Sequence, residues 1–318
     1  MIIFDAYLLK RVDNKMKQKA KVKYSQNKTA LFFLWPWILG LIIFTIGPML
    51  ISLYYSFTEY NLLSAPRWIG LENYKTMFFG DPLFLTSLTI TLKYVVIAVP
   101  LKLLAALGVA LLLEKGKRGL GIYRTIYYIP SLLGASVAVA MLWRQIFGIN
   151  GLINQLLSSI FGMQGLPNWV GNPDYALYTL IILFFWQFGS PMIIFLASLK
   201  QVPTEYYEAA LVDGAGCLKR FWHITLPEIS PIIFFNLIMQ MITAFQSFTS
   251  AYVISNGTGG PVNSTMLYSL YLYQKAFSFQ QMGYASAMAW VLLIIIGVIT
   301  LLIFRSSRLW VHYSDGGI

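Results

Sequence analysis

The chain has 318 residues, 58% of them hydrophobic and only 11% charged, with a formal net charge of +11 and one cysteine, Cys217. A soluble domain carries about 25% charged residues, so an ordinary soluble protein is excluded, and a lone cysteine excludes an internal disulfide. The basic excess suggests nucleic acid until it is mapped along the chain, where it reads as membrane topology.

Residues 1–30 form a basic tail with Lys10, Arg11, Lys15, Lys17, Lys19, Lys21, Lys23 and Lys28, and no signal-peptide pattern. The first apolar run spans Leu31 to Tyr55. The second, Thr86 to Leu113, is interrupted by Pro100 and contains Lys93 and Lys102. These lysines are nine residues apart and so fall on opposite helix faces. Lys93 can snorkel outward. Lys102 lies about 16 Å from Leu113 at a rise of 1.5 Å per residue. A lysine at that depth costs roughly 3 kcal/mol, so it is expected to face water, a counter-charge or another subunit.

A third run, Tyr123 to Phe147, follows a connection rich in base (Lys115, Lys117, Arg118). A fourth, Tyr175 to Leu199, is broken by Gly189-Ser190-Pro191. The fifth and sixth extend from Ile229 to Ile254 and from Tyr284 to Phe304. Each run is near the ~20 residues a spanning helix needs, and none alternates apolar with polar residues as a membrane strand would. The expected fold is an all-α membrane bundle of six transmembrane helices. Basic residues concentrate in the tail, the second-to-third and fourth-to-fifth connections, and the C-terminal end (Arg305, Arg308). The other connections are poor in them. The positive-inside rule therefore places both termini and residues 200–228 in the cytoplasm, in a multi-pass protein of the cell membrane. The expected organisation is a tail over 1–30, a membrane domain over 31–304 and a second tail over 305–318.

The 200–228 connection has the chemistry of a rigid hook. Pro203 and Thr204 sit where a helix begins, and Glu205 and Glu208 in its first turns complement the helix dipole. Gly214 and Gly216 break that helix. A second short helix is expected from Leu218 to Ile224, ending near Pro227, with Phe221 and Trp222 offered to a partner's groove.

Glu208-Ala209-Ala210, three residues, Gly214, nine residues, then Ile224-Thr225-Leu226-Pro227 resembles the EAA loop of permease subunits of binding-protein-dependent ABC importers. Trp68-Ile69-Gly70-Leu71-Glu72-Asn73-Tyr74, Tyr128-Ile129-Pro130, Asn150-Gly151-Leu152-Ile153-Asn154 and Thr258-Gly259-Gly260-Pro261 extend the likeness to the maltose-type and glycerol-phosphate-type sugar branch. The resemblance implies the type I importer permease fold. It also implies that Glu208, Ala209, Ala210, Asp213, Gly214, Ile224, Leu226 and Pro227 form a coupling loop that docks on a cytoplasmic ATPase. The implied partners are a second homologous permease chain, two ATPase subunits and an external solute-binding protein.

No phosphate-binding G-x-x-x-x-G-K-[ST] motif occurs, so ATP is expected on a separate chain, and this chain is expected to be non-catalytic and without cofactor. His223, His312 and Cys217 are too dispersed to suggest a metal site or a nucleophilic centre.

In the fifth run Asn236, Gln240, Thr243, Ser247 and Ser250 fall within about 80° of one another at 100° per residue, and Gln246 borders them. Amides and hydroxyls suit sugar hydroxyls, although the same residue types also glue spans together. The expected cargo is carbohydrate, with Lys102 a contact for an acidic saccharide or for the partner permease. The alternatives are a self-sufficient channel, an ion-coupled carrier, or an ABC permease for a non-sugar solute. A carrier is expected to need intramembrane acids, and the six runs contain none.

Overall fold

The computed structural model describes residues 30–116, 119–134 and 136–312. Nearly all of the basic tail, Lys117, Arg118 and the last six residues lie outside the described residues. The chain divides after Tyr55 into two compact units.

Among the described residues the first unit consists of one helix, α1 (Ala30–Ser56, its last residue falling in the second unit), with a π-turn at Ile42–Ile46. Its apolar side chains, Phe32, Phe33 and Phe44 among them, stay exposed, as suits a lipid-facing surface.

The second unit opens with a short antiparallel hairpin, β1 (Thr58–Glu59) and β2 (Arg67–Trp68), that the sequence did not announce. It continues into α2 (Glu72–Lys75). Asn73 is buried and donates to the carbonyls of Ser56 and Thr58, both at 2.9 Å, which explains why the Trp68–Tyr74 segment folds tightly.

The central element is α3 (Pro82–Glu114). It packs against α7 (Ala176–Trp186), α8 (Gly189–Leu199) and α11 (Ser230–Phe245). Fully buried Ala98, Ala106 and Ala110 let neighbouring helices approach closely. Pro100 does not interrupt α3, contrary to expectation. The helix runs on through it, with Pro100 on an exposed face. Asp81 caps this helix: its Oδ1 accepts from the amides of Leu83 and Phe84.

Asp81 also ties three elements together. Its Oδ2 accepts from Tyr271 on α13 (Tyr268–Tyr273) at 2.5 Å and from Tyr284 on α14 (Met282–Trp310) at 2.7 Å, and lies 3.5 Å from Lys275 Nζ. Burial pushes the carboxyl up. The two tyrosine hydroxyls, the Lys275 charge and the Phe84 amide outweigh it and hold Asp81 below the usual carboxylate range.

The expected third span is two helices. α4 (Leu120–Leu133) and α5 (Val137–Ile146) are bent by 100°, and Ser136 caps the second by accepting from the Val139 amide. Hydropathy is blind to such a break because both arms are apolar. α6 (Leu152–Phe161) is a short amphipathic helix on the connection to α7. The expected fourth span is also bent, by 41°, between α7 and α8. Pro191 falls in the first turn of α8, where its missing N–H costs nothing. The break lies just before it, at Gln187-Phe188. Gly189 is required at this point, since a Cβ would lie 2.2 Å from the Tyr127 carbonyl oxygen of α4.

After the 200–228 connection, α11 and α12 (Thr249–Ile254) form the fifth run, loosened at Gln246–Phe248. α14 ends the fold and runs to Trp310, past the predicted Phe304. Among the described residues, four helices are long and apolar enough to cross a membrane, and the two bent pairs pass the same test jointly.

Candidate functional site

Three helix interruptions meet at one place. The end of α4 at Gly134, the α7–α8 break at Gln187 and the α11–α12 break at Gln246–Phe248 surround a cavity of about 170 Å³. It is lined by Tyr94 of α3, Phe184, Gln187, Thr243, Gln246, Ser247 and Ser250, among others. Irregular backbone at membrane depth is tolerated where it lines a water-filled space or is buried in protein, so the breaks and the cavity explain each other.

The breaks are stitched together. The Ser131 hydroxyl donates to the Gln187 carbonyl at 2.9 Å and accepts the Ser190 amide at 2.9 Å. The Gln187 side-chain amide donates to the Gly134 carbonyl at 3.1 Å.

The predicted polar stripe is divided by this geometry. Thr243, Gln246, Ser247 and Ser250 reach the cavity. Asn236 does not: it is 1% exposed, and neither atom of its amide has a partner. Gln240 is half-buried, with an unpartnered Oε1. The stripe parts by depth rather than by face: Asn236 and Gln240 precede Thr243 on the unbroken α11, about 10 and 5 Å nearer the 200–228 connection at 1.5 Å per residue. Lys102 is 5% exposed and its ammonium sits 3.9 Å from the centroid of the Phe184 ring, whose side chain lines the cavity. Lys93 is exposed, so the opposite-face prediction holds. Lys102 is buried within this chain, and no carboxylate among the described residues lies within ion-pairing distance of it.

Sequence reading missed Gln187, Tyr94, Phe184 and Gly134. One signal was present: a lone amide within Phe184-Phe185-Trp186-Gln187-Phe188, immediately before the glycine break.

The 200–228 connection projects from the ends of α8 and α11. α9 (Thr204–Val212) begins after Pro203, with Glu205 in its first turn. It ends in a Schellman motif: the Gly214 amide donates to the Leu211 carbonyl and the Ala215 amide to the Ala210 carbonyl, at 3.0 and 2.8 Å. Gly214 has φ +71°, whereas Gly216 is ordinary extended backbone. Glu208, Ala209 and Asp213 are exposed, and Ala210, Ile224, Leu226 and Pro227 are half-buried.

The second helix, α10 (Cys217–Arg220), starts one residue earlier than expected. It does not stop at Pro227, because a π-turn at Phe221–Thr225 and a turn at Leu226–Glu228 carry it toward α11. The Tyr207 and Thr225 hydroxyls, 2.9 Å apart, clamp the outgoing and returning arms. Leu211, Val212, Leu218 and Trp222 form an exposed apolar edge. Phe221 is half-buried and, with one side of Leu218, lines a cavity of about 610 Å³ beneath the loop.

Residues 94–311 match the family described as "Binding-protein-dependent transport system inner membrane component". The probable ABC transporter permease protein YesP of Bacillus subtilis (strain 168) is 53% identical over 300 residues, covering 94% of this chain and 96% of that protein. The lactose transport system permease protein LacF of Rhizobium radiobacter is 32% identical over 295 residues, covering 91% and 97%. The arabinooligosaccharides transport system permease protein AraP of Bacillus subtilis (strain 168) is 32% identical over 293 residues, covering 89% and 90%. A chain of a bacterial alginate ABC transporter, solved with its pentasaccharide-bound periplasmic protein, has the same fold. Its TM-score is 0.73 at 22% identity, covering 89% of this chain and 95% of that one.

Proposed function

The chain belongs to the binding-protein-dependent transport system inner membrane components, and from that premise we propose that it is a carbohydrate permease subunit of an ABC importer. The carrying observation is a mechanical path. α8 leads from the Gln187 break to the 200–228 loop, and α11 leads back from the loop to the Gln246 break. Each helix is a rigid rod of about 16 to 24 Å at 1.5 Å per residue. Displacement of the loop by a docked ATPase would therefore move two walls of the cavity together, as alternating access requires.

Six spans with both termini on the cytoplasmic side fit the basic residues and the four continuous helices plus two bent pairs. ATP hydrolysis belongs to two partner chains, and a second permease, homologous but different, completes the pathway. A solute-binding protein delivers substrate from outside. The exposed edge of Leu211, Leu218 and Trp222, with Glu208 beside it, is the docking face for the ATPase.

Carbohydrate is favoured by the amide and hydroxyl lining of the cavity, flanked by Phe184 and Phe248, and by the sugar substrates in the names of LacF and AraP. The Lys102 ammonium behind the Phe184 ring favours a saccharide that bears a carboxylate. The test is uptake by proteoliposomes containing the complete complex. ATP- and binding-protein-dependent accumulation of radiolabelled lactose, maltose, cellobiose or digalacturonate is expected. Accumulation that persists without the ATPase chains would overturn the importer reading in favour of a carrier.

A further inference from the structure

We propose that Gln187 selects the substrate, its side-chain oxygen accepting a hydrogen bond from one saccharide hydroxyl; this rests on the carbohydrate reading above. The case comes from counting which polar groups around the cavity are already committed. The Thr243 hydroxyl donates to the Met239 carbonyl at 2.7 Å. The lining hydroxyls of Tyr94, Ser247, Thr249 and Ser250 remain, together with the two carboxamides that carry separate donor and acceptor atoms, Gln187 and Gln246.

They differ in preorganisation. Gln246 stands exposed on the loosened α11–α12 turn. Gln187 is held on both sides: its own carbonyl takes the Ser131 hydroxyl, and its side-chain nitrogen donates to the Gly134 carbonyl. Because Gly134 O can only accept, the nitrogen must face it, so the amide orientation is set by chemistry. The oxygen Oε1 is thereby left as an acceptor. It has no partner among the described residues and is not among the buried unsatisfied atoms, so it is open to the cavity.

Gly134 enforces this pose. A Cβ there would lie 2.2 Å from the Gln187 side chain, so the close approach is available only to glycine. An acceptor fixed before binding loses little rotamer freedom when a hydroxyl arrives, which makes it a better discriminator than a mobile amide.

The experiment pairs the residue with the substrate. In the complete reconstituted complex, uptake of lactose, maltose, cellobiose and digalacturonate is measured, followed by the mono-deoxy analogues of whichever is transported. In the wild type one deoxy position is expected to raise the half-saturating concentration roughly tenfold. In Gln187→Met that penalty is expected to vanish while penalties at other positions persist, the signature of a direct pair in a double-mutant cycle. An unchanged set of penalties in Gln187→Met would overturn the assignment and leave the carbohydrate reading intact. Failure of the wild-type complex to transport any saccharide in the panel would overturn both.

If Gln187→Met does not assemble, Gln187→Cys in a Cys217→Ser background is titrated with a water-soluble methanethiosulfonate. Slower modification in the presence of the transported sugar supports the contact, and an unchanged rate refutes it.

Discussion

Gly214 and Gly216 allow a clean test of the coupling loop. A Cβ added at either glycine meets nothing within 4 Å, so neither substitution creates a clash. The two differ in backbone: Gly214 has φ +71° in the αL region, while Gly216 has φ −67° and ψ 167°. An L-residue held in αL costs roughly 1–2 kcal/mol, and at φ −67° it costs nothing comparable. The strain at Gly214 can be relieved only by giving up the two hydrogen bonds that close α9, which would displace Glu208–Ala210 from the docking pose.

If ATPase binding requires that pose, Gly214→Ala should weaken association by about five- to thirtyfold, since 1.4 kcal/mol is a tenfold change. Gly216→Ala should leave association unchanged. Gly214→Asn should fall between them, because asparagine tolerates αL, and Gly214→Val should exceed alanine. The assay is equilibrium binding of the purified ATPase to the permease pair in nanodiscs, with permease yield as the control. Equal effects of Gly214→Ala and Gly216→Ala, or normal association in Gly214→Val, would refute the reasoning.

Thr243→Leu, which places an apolar side chain in the cavity, should cost at least tenfold in sugar uptake at normal yield of assembled complex. Asn236→Leu should leave the detergent-solubilised chain as stable as wild type or more so, read from its thermal midpoint, because a buried unpartnered amide costs about 1–3 kcal/mol. Lys102→Met should reduce digalacturonate uptake about ten- to thirtyfold more than uptake of a neutral disaccharide. A charge acting across the ring at about 8 Å and an effective dielectric near 20 is worth ~2 kcal/mol. Equal, normal uptake of both sugars would remove the acidic-substrate idea. Asp81 predicts a pH dependence: its carboxyl is depressed in the folded chain, so its stabilisation is complete above the ordinary carboxylate range, about pH 5 and higher. That stabilisation should be lost as pH falls through the depressed value. The gap in thermal midpoint between wild type and Asp81→Asn should therefore be flat from neutrality to about pH 5 and close in stronger acid. A gap that widens on acidification would contradict the sign.

Hydrophobic run length, basic-residue alternation and the glycine-punctuated loop are local quantities, so the sequence by itself determined the helical membrane class, the approximate spans and the loop. Gly214 shows this well: a glycine after an alanine-rich turn reports its own αL requirement, and the Schellman bonds lie within five residues of it. The opposite faces of Lys93 and Lys102 followed from helical period alone, because α3 is unbroken between them.

Only the tertiary structure decided what lies beside what. Pro100 leaves α3 continuous, whereas the apolar stretch around Gly134 turns sharply. Each outcome depends on whether neighbouring helices supply partners for the freed backbone groups, as Gln187 does for Gly134. Asn236 and Thr243 share one stripe in sequence and part company in space: α11 buries the first in the chain and brings the second to a cavity framed by its own break and by breaks on two other segments. Gln187 and Asp81 carry no periodic signal at all. Their roles come from contacts with residues 53 and 190 positions away in the chain, and helical periodicity says nothing about contacts at such separations.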